Sequence, residues 1–327
     1  MFALGAAGLV APLASSARGA SKLPQVGILV DGVRKSPSGR IIWEEFTNAA
    51  FTRAGYSIGT NVRLEWRYTE GDARRISGLV DDLLRLKVDV ILSLESWPAV
   101  HHIRIATSTI PIVMNAYPAN PVGMGLIASF ARPGGNITGT TWVRDTGQLF
   151  AKQYQLLKEA APAAKRVAFL RWSKSEPMFI AQVIARAREE FGFEVTDFPV
   201  SGPSELRRVL DQVATVKPDA LFVVGAGFMI SLTEVVADFA IQHRLIAIGT
   251  PGVFAVDGGL LYYGPDGLRL FDRTISYVDR ILRGAKPGEL PVEEPTEYVF
   301  VFNAKTARAI GYSLPSSLQS RVNRVIE

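Results

Sequence analysis

From residue 24 onward the chain repeats one pattern: a short apolar run, a turn signal, then an amphipathic stretch. A short apolar run bounded by turns is a strand buried on both faces. An amphipathic segment between two such runs is the helix of a βα unit, so the pattern builds a parallel sheet covered by helices on both sides. Residues 26–30, 62–68, 88–94 and 110–114 read as the first four strands. Between them Ile42, Phe46, Ala49 and Ala50 share one helical face, and Gly55 stops that helix as a C′ glycine does. Asp72 caps a second helix, whose Ile76, Leu79, Val80 and Leu83 align, and Pro98 stands where a third can start.

Residues 130–147 break this rhythm with Arg132-Pro133-Gly134-Gly135-Asn136 and a β-prone run over 138–143, which reads as a crossing between two lobes. A second series then begins, with strands over 167–171, 193–200, 220–224 and 245–248 and helices over 177–191, 203–215 and 232–242. A strand within 258–264 and a helix from its Asp266 cap to residue 282 follow. A proline-bearing connection over 287–295, a strand over 297–302, a helix over 303–310 and a polar tail complete the chain. Each series carries its own alternation, which describes two doubly wound α/β lobes more readily than one large sheet. The length of 327 residues, at roughly 150 per domain, agrees.

Several chemistries are excluded or poorly supplied. The chain has no cysteine, so disulfides, thiolate metal sites, cysteine nucleophiles and a lipid-bearing cysteine are ruled out. Of three histidines, His101 and His102 are helical neighbours that face different directions and cannot chelate one ion, so no metal is expected. The first strand-to-helix turn reads GILVDGVRKSPSGR without the glycine spacing of a dinucleotide site. Neither a Walker A run nor a G-x-S-x-G elbow appears, so no cofactor is expected. The net charge of +5 is spread along the chain, which gives nucleic acid no footprint. After residue 20 no apolar run reaches the roughly 18 residues of a membrane span. Residues 2–14, almost wholly small or apolar and followed by Ala14-Ser15-Ser16-Ala17-Arg18-Gly19-Ala20, read as an export signal remnant over residues 1–21, without a basic n-region.

Two facing α/β lobes place a ligand in the crevice beyond the carboxyl ends of their strands. The sequence sets Asp31 after the first strand, Glu95 and Ser96 after the third, Asn115 and Tyr117 at the end of the fourth, and Trp142 at the crossing. From the second lobe come Arg171 and Trp172, then Phe228, then Thr250 and Phe254, with Tyr263 at the return crossing. Aromatics with both charge signs suit a zwitterion, whose ammonium needs a carboxylate, whose carboxylate needs a donor, and whose side chain needs an apolar wall. On this reading Trp142 and Tyr263 contact the solute and Phe46 is core. An enzyme would need an acid–base pair, for which Asp31 with Glu95 is the one carboxylate pairing in the crevice.

Three stretches carry a family likeness: AFTRAGYSIGTNVRLEWRYTEGDARRISGLVDDLL, STIPIVMNAYPANPVGMGLIASFARPGGNITG, and LYYGPDGLRLFDRTISYVDRILRGAKPGELPVEEPTEYVFVFNAKTARAIGYSLP. Over residues 24–327 the chain resembles the bacterial ABC-transporter substrate-binding proteins described as tryptophan/tyrosine transport system components. RPGGNITG at 132–139 and PTEYVFVFNAKTARAIG at 295–311 are the most specific parts. The resemblance implies a type I periplasmic binding-protein fold with three crossings, no catalysis, and a monomer that delivers a small organic solute, an amino acid with the aromatic ones among the candidates, to membrane permease subunits. Lobe boundaries follow at 22–139 with 264–290 and at 140–263 with 291–327. A ligand-sensing module that presents its solute to a receptor or histidine kinase is the alternative. Where the family has small polar residues after the first and third strands and an Asp in the fourth-strand loop, this chain has Val30-Asp31, Glu95-Ser96-Trp97 and Asn120. Those departures lie in the expected crevice and bear on the ligand rather than the fold.

Overall fold

The structure, a computed structural model, describes residues 22–94, 97–117, 120–142, 146–173, 175, 177–225 and 227–327; the expected export segment over residues 1–21, Glu95 and Ser96 lie outside the described residues. The first series forms β1 (Gln25–Val30), α1 (Ile42–Arg53), β2 (Arg63–Tyr68), α2 (Ile76–Arg85), β3 (Val90–Leu94), α3 (Trp97–Ala106), β4 (Ile112–Tyr117) and β5 (Ile137–Thr141). Its strands pair in parallel in the order β2-β1-β3-β4-β5, the doubly wound arrangement that apolar runs joined by amphipathic helices impose.

The second series contributes α4 (Thr146–Ala160), β6 (Arg166–Trp172), α5 (Pro177–Phe191), β7 (Glu194–Val200), α6 (Leu206–Val216), β8 (Ala220–Val223), α7 (Thr233–Gln242), β9 (Ile246–Gly249), α8 (Gly252–Val256) and β10 (Leu261–Pro265). Then follow α9 (Gly267–Leu282), β11 (Tyr298–Asn303), α10 (Ala304–Ile310), α11 (Ser316–Gln319) and β12 (Arg324–Ile326). The second sheet runs β12-β11-β10-β9-β8-β6-β7, with β10 and β11 antiparallel. Helix α4 fills a stretch for which the rhythm along the sequence offered no element. Its Leu149, Phe150, Tyr154 and Leu157 recur at helical spacing and pack on the second sheet. Strand β12 stands where a polar tail was expected, paired with β11.

Helix α9 leaves the second sheet and returns to the first, where Phe271, Ile275 and Val278 pack with Ile28, Val30 and Leu92. Asp266 caps it, accepting from the Leu268 and Arg269 amides. The chain therefore passes between the sheets after β5, after β10 and before β11. The last passage is fastened to the first sheet by hydrogen bonds from Thr141 N to Glu293 O (2.9 Å) and from Glu293 N to Gly139 O (3.0 Å).

Both family-like motifs build this frame. In RPGGNITG, Asn136 Nδ2 donates to the carbonyls of Thr107 (3.1 Å) and Ile110 (2.8 Å), and Gly139 lets β5 close on β4. In PTEYVFVFNAKTARAIG, Asn303 Oδ1 accepts from Thr306 N (2.8 Å) to cap α10, while its Nδ2 donates to Ala255 O (2.8 Å).

Candidate functional site

The carboxyl ends of the two sheets face each other across a cleft. The lobes meet where the Asp31 carbonyl lies 3.2 Å from the position a Cβ on Gly227 would take, and where a Cβ on Gly71 would come within 2.5 Å of Pro203. Both glycines have positive φ, +54° and +78°, so each turn serves a close approach that a side chain would obstruct. Between these contacts and the crossings lies a cavity of about 990 Å³, counted with the solvent at its mouth.

Its first-lobe wall is made by helix N-terminal turns. Trp43 and Phe46 project from the start of α1 and Phe271 from the start of α9; the Phe271 ring centroid lies 6.2 Å from Trp43 and 6.1 Å from Phe46. Trp43 is 2% exposed and its Nε1 is buried without a hydrogen-bond partner among the described residues, 3.3 Å from where a Gly32 Cβ would sit. An unpaired buried donor is costly, which marks this edge of the wall as a place for an acceptor. The floor is Ala116, held at φ +49° where the pairing of β4 with β5 shifts register, its amide donating to Thr140 Oγ1 (3.0 Å). A left-handed alanine stores about 1 kcal/mol of strain, and strain of this kind gathers at binding sites. Trp142, whose amide donates to Tyr117 O (2.9 Å), forms the crossing side. The second lobe adds Ile230, Pro251, Val253 and Thr250, the Thr250 hydroxyl accepting from Gly225 N (2.9 Å).

Of the residues picked from the sequence, Trp142 and Thr250 line this cavity and Asp31 stands at the lobe contact, 3% exposed, accepting from Thr69 Oγ1 (2.9 Å). The others are placed differently. Asn115 faces α9, donating to Thr274 Oγ1 (2.9 Å), and so fastens that helix to β4. Beyond the register shift Tyr117 turns into the α2–α3 layer, and burial pushes its phenol up to about 12. Arg171 is forked onto Asp197 of the neighbouring strand β7, Nε to Oδ1 and Nη2 to Oδ2 at 2.8 Å each. Trp172, Phe228 and Phe254 belong to the second lobe's core; Phe254 is fully buried against Gly249 and Gly259.

Tyr263 misses the cavity by one residue. Strand side chains alternate, so Tyr262 borders the cavity, its hydroxyl donating to Pro265 O (2.5 Å). Tyr263 instead points to the α4 side and stacks on Tyr298 at 6.1 Å. Tyr263→Ala should therefore leave solute affinity within about twofold and lower only the melting temperature, by loss of apolar burial; titration and melting of the same variant separate the two effects. Phe46, expected as core, is half-buried and lines the cavity.

The wall residues Trp43 and Phe271 lie within helices, outside the loops after strands to which the sequence reading assigns the site. The first turn of a helix that follows a strand opens toward the same end of the sheet, so an aromatic there is the signal that could have found Trp43.

Two lobes of largely parallel sheet, three crossings and a cavity between the strand ends define a type I periplasmic binding-protein fold. Residues 43–326 match the family described as ABC transporter substrate binding protein, and the chain belongs to that family. It is 25% identical over 258 residues to the Tyrosine-binding protein of Clostridioides difficile (strain R20291), spanning 78% of this chain and 72% of that one. An ABC domain in complex with L-Trp from Streptococcus pneumonia superposes with a TM-score of 0.76 at 24% identity, covering 93% of this chain and all of that one (100%). The ligand-free, open structure of a substrate binding protein with adhesive properties from Clostridium difficile gives 0.58 at 22% identity, over 93% and 99% of the two chains. Among the described residues no helix is long and apolar enough to cross a membrane.

Proposed function

We propose that this chain is the extracytoplasmic solute-binding protein of an ABC importer, and that it captures an amino acid with an aromatic side chain and delivers it to membrane permease subunits. The observation that carries the reading is the cavity itself, walled by Trp43, Phe46 and Phe271 from one lobe, by Ile230, Pro251 and Val253 from the other, and by Trp142 between them. An aromatic ring buries about 150–250 Å² of surface, and an aromatic wall supplies the offset and edge-to-face contacts it prefers. Trp43 Nε1, buried without a hydrogen-bond partner among the described residues, offers a donor to a carboxylate. The relatives that bind tyrosine and tryptophan support the same class.

Capture works by lobe closure. A solute that touches both walls binds the closed arrangement better than the open one and shifts the population toward it, by no more than that difference in affinity. This chain superposes more closely on the L-Trp complex than on the ligand-free, open structure, at nearly equal identity. Residues 2–14 fit an exported protein, and the chain works as a monomer that a permease reads in its closed form.

A thermal-shift screen of the chain from residue 22 tests this reading. L-Tryptophan, L-tyrosine or L-phenylalanine at 100 times Kd should add about 2.7 kcal/mol of stability, a rise of several degrees. A selective shift with a sugar, a polyol or an aliphatic amino acid in place of the aromatic ones would overturn the assigned solute class.

A further inference from the structure

The segment between β1 and α1 does not stay on its own lobe. Val33 packs against the second lobe's core and its carbonyl accepts from Ser231 Oγ (3.1 Å). Ser38 donates from its amide to Glu234 Oε1 (2.5 Å) and from its hydroxyl to Oε2 (2.6 Å), at the start of α7. Arg40 Nη1 donates to Asp257 Oδ1 (2.5 Å), directly after α8, and the other Asp257 oxygen accepts from Thr233 Oγ1 (2.5 Å). The Asp257 side chain is 1% exposed and that of Arg40 34%. Arg40 stands two residues before Ile42 and Asp257 follows Val256, both cavity-lining, so the ion pair sits at the cavity rim without being part of its wall.

We infer that residues 33–40 are an interlobe latch, and that Arg40 and Asp257 are positioning residues that set solute affinity through the open–closed equilibrium without touching the solute. Opening the lobes parts a buried carboxylate from its cation and breaks the Ser38 and Ser231 hydrogen bonds in one motion. The Ser38, Arg40 and Ser231 contacts each join residues about two hundred positions apart across the cleft, so they form together only when the lobes close on each other. Burial pushes the Asp257 carboxyl above its ordinary value despite Thr233 and Arg40, so the pair contributes modest net stability and chiefly fixes which closed arrangement is allowed. A latch that populates the closed form before solute arrives lowers the apparent Kd in proportion to the fraction closed.

The inference rests on the solute-capture reading only for its consequence on affinity, and the test keeps the two apart. Because the chain has no cysteine, Arg104→Cys on α3 and Glu189→Cys on α5, both exposed, accept a donor–acceptor dye pair that reports lobe separation in solute-free protein. Arg40→Gln and, separately, Ser38→Ala should lower transfer efficiency relative to the parent while circular dichroism stays unchanged. Arg40→Gln/Asp257→Asn, which restores a neutral hydrogen-bonding pair, should recover part of it. With the solute found by the thermal screen, Arg40→Gln should release it about tenfold faster. Unchanged transfer efficiency in both folded single variants, or a solute-free parent already as open as they are, overturns the latch. A blank solute screen with a latch-dependent change in lobe distance would instead overturn the solute assignment and leave the latch standing.

Discussion

Trp142→Ala should weaken solute binding by at least about tenfold and up to about a thousandfold, the 1.4–4 kcal/mol that truncating a central aromatic contact costs in a desolvated site. Trp142 occupies the crossing side of the cavity and is only partly buried, so the fold loses far less from its truncation than the site does. Trp43→Ala should lose as much affinity and, at 2% exposure within the first lobe's core, about 3–5 kcal/mol of stability as well. Calorimetric titration with the aromatic amino acid that stabilises the parent checks both, with urea unfolding to separate affinity from stability. An unchanged Kd in Trp142→Ala would remove this cavity from solute binding altogether.

Gly139→Ala should destabilise the fold by about 4 kcal/mol or more. Its φ is +127°, outside the range an L-alanine adopts without strain, and the added Cβ would lie 2.1 Å from Met114 O and 2.6 Å from Met114 N. Those are backbone atoms of the neighbouring strand and cannot rotate away. Relief requires β5 to separate from β4, which also strips the Glu293 amide from the Gly139 carbonyl and loosens the last crossing between lobes. Gly134→Ala is the internal control: φ is +79° but nothing comes nearer than 3.6 Å, so it should cost only about 1 kcal/mol. Urea midpoints of the two variants that coincide would refute the close-approach account.

The specific family-like motifs prove to be mostly frame, with Val299 of the second bordering the cavity. Asn136 ties the entry of β5 to the turn before β4, Gly139 permits the contact of those strands, and Asn303 caps α10 while gripping α8. A likeness that rests on such residues is informative about architecture and says little about the solute. The sequence reading of the crevice departs from the structure where it depended on facing. Arg171 was chosen as a strand-end cation, yet the adjacent strand supplies Asp197 at bidentate distance, a pairing invisible until β6 and β7 are in register. Tyr263 is placed in the crevice by the sequence reading, yet its neighbour Tyr262, on the other side of β10, is the one that lines the cavity.

The sequence by itself determined the two series of βα units, their break near residue 130, the Asp266 cap, and the absence of cysteine chemistry. Each of these depends on local periodicity, local backbone chemistry or composition, which a linear chain displays in full. Only the tertiary structure decided that Trp43, Phe271 and Ile230 share a wall with Trp142, that Asn115 serves α9 instead of the cleft, and that Arg40 reaches Asp257 across the lobes. Those facts depend on the angle between two lobes and on the phase of each strand within its sheet. Many distant contacts set such quantities together, and no short window of sequence contains them.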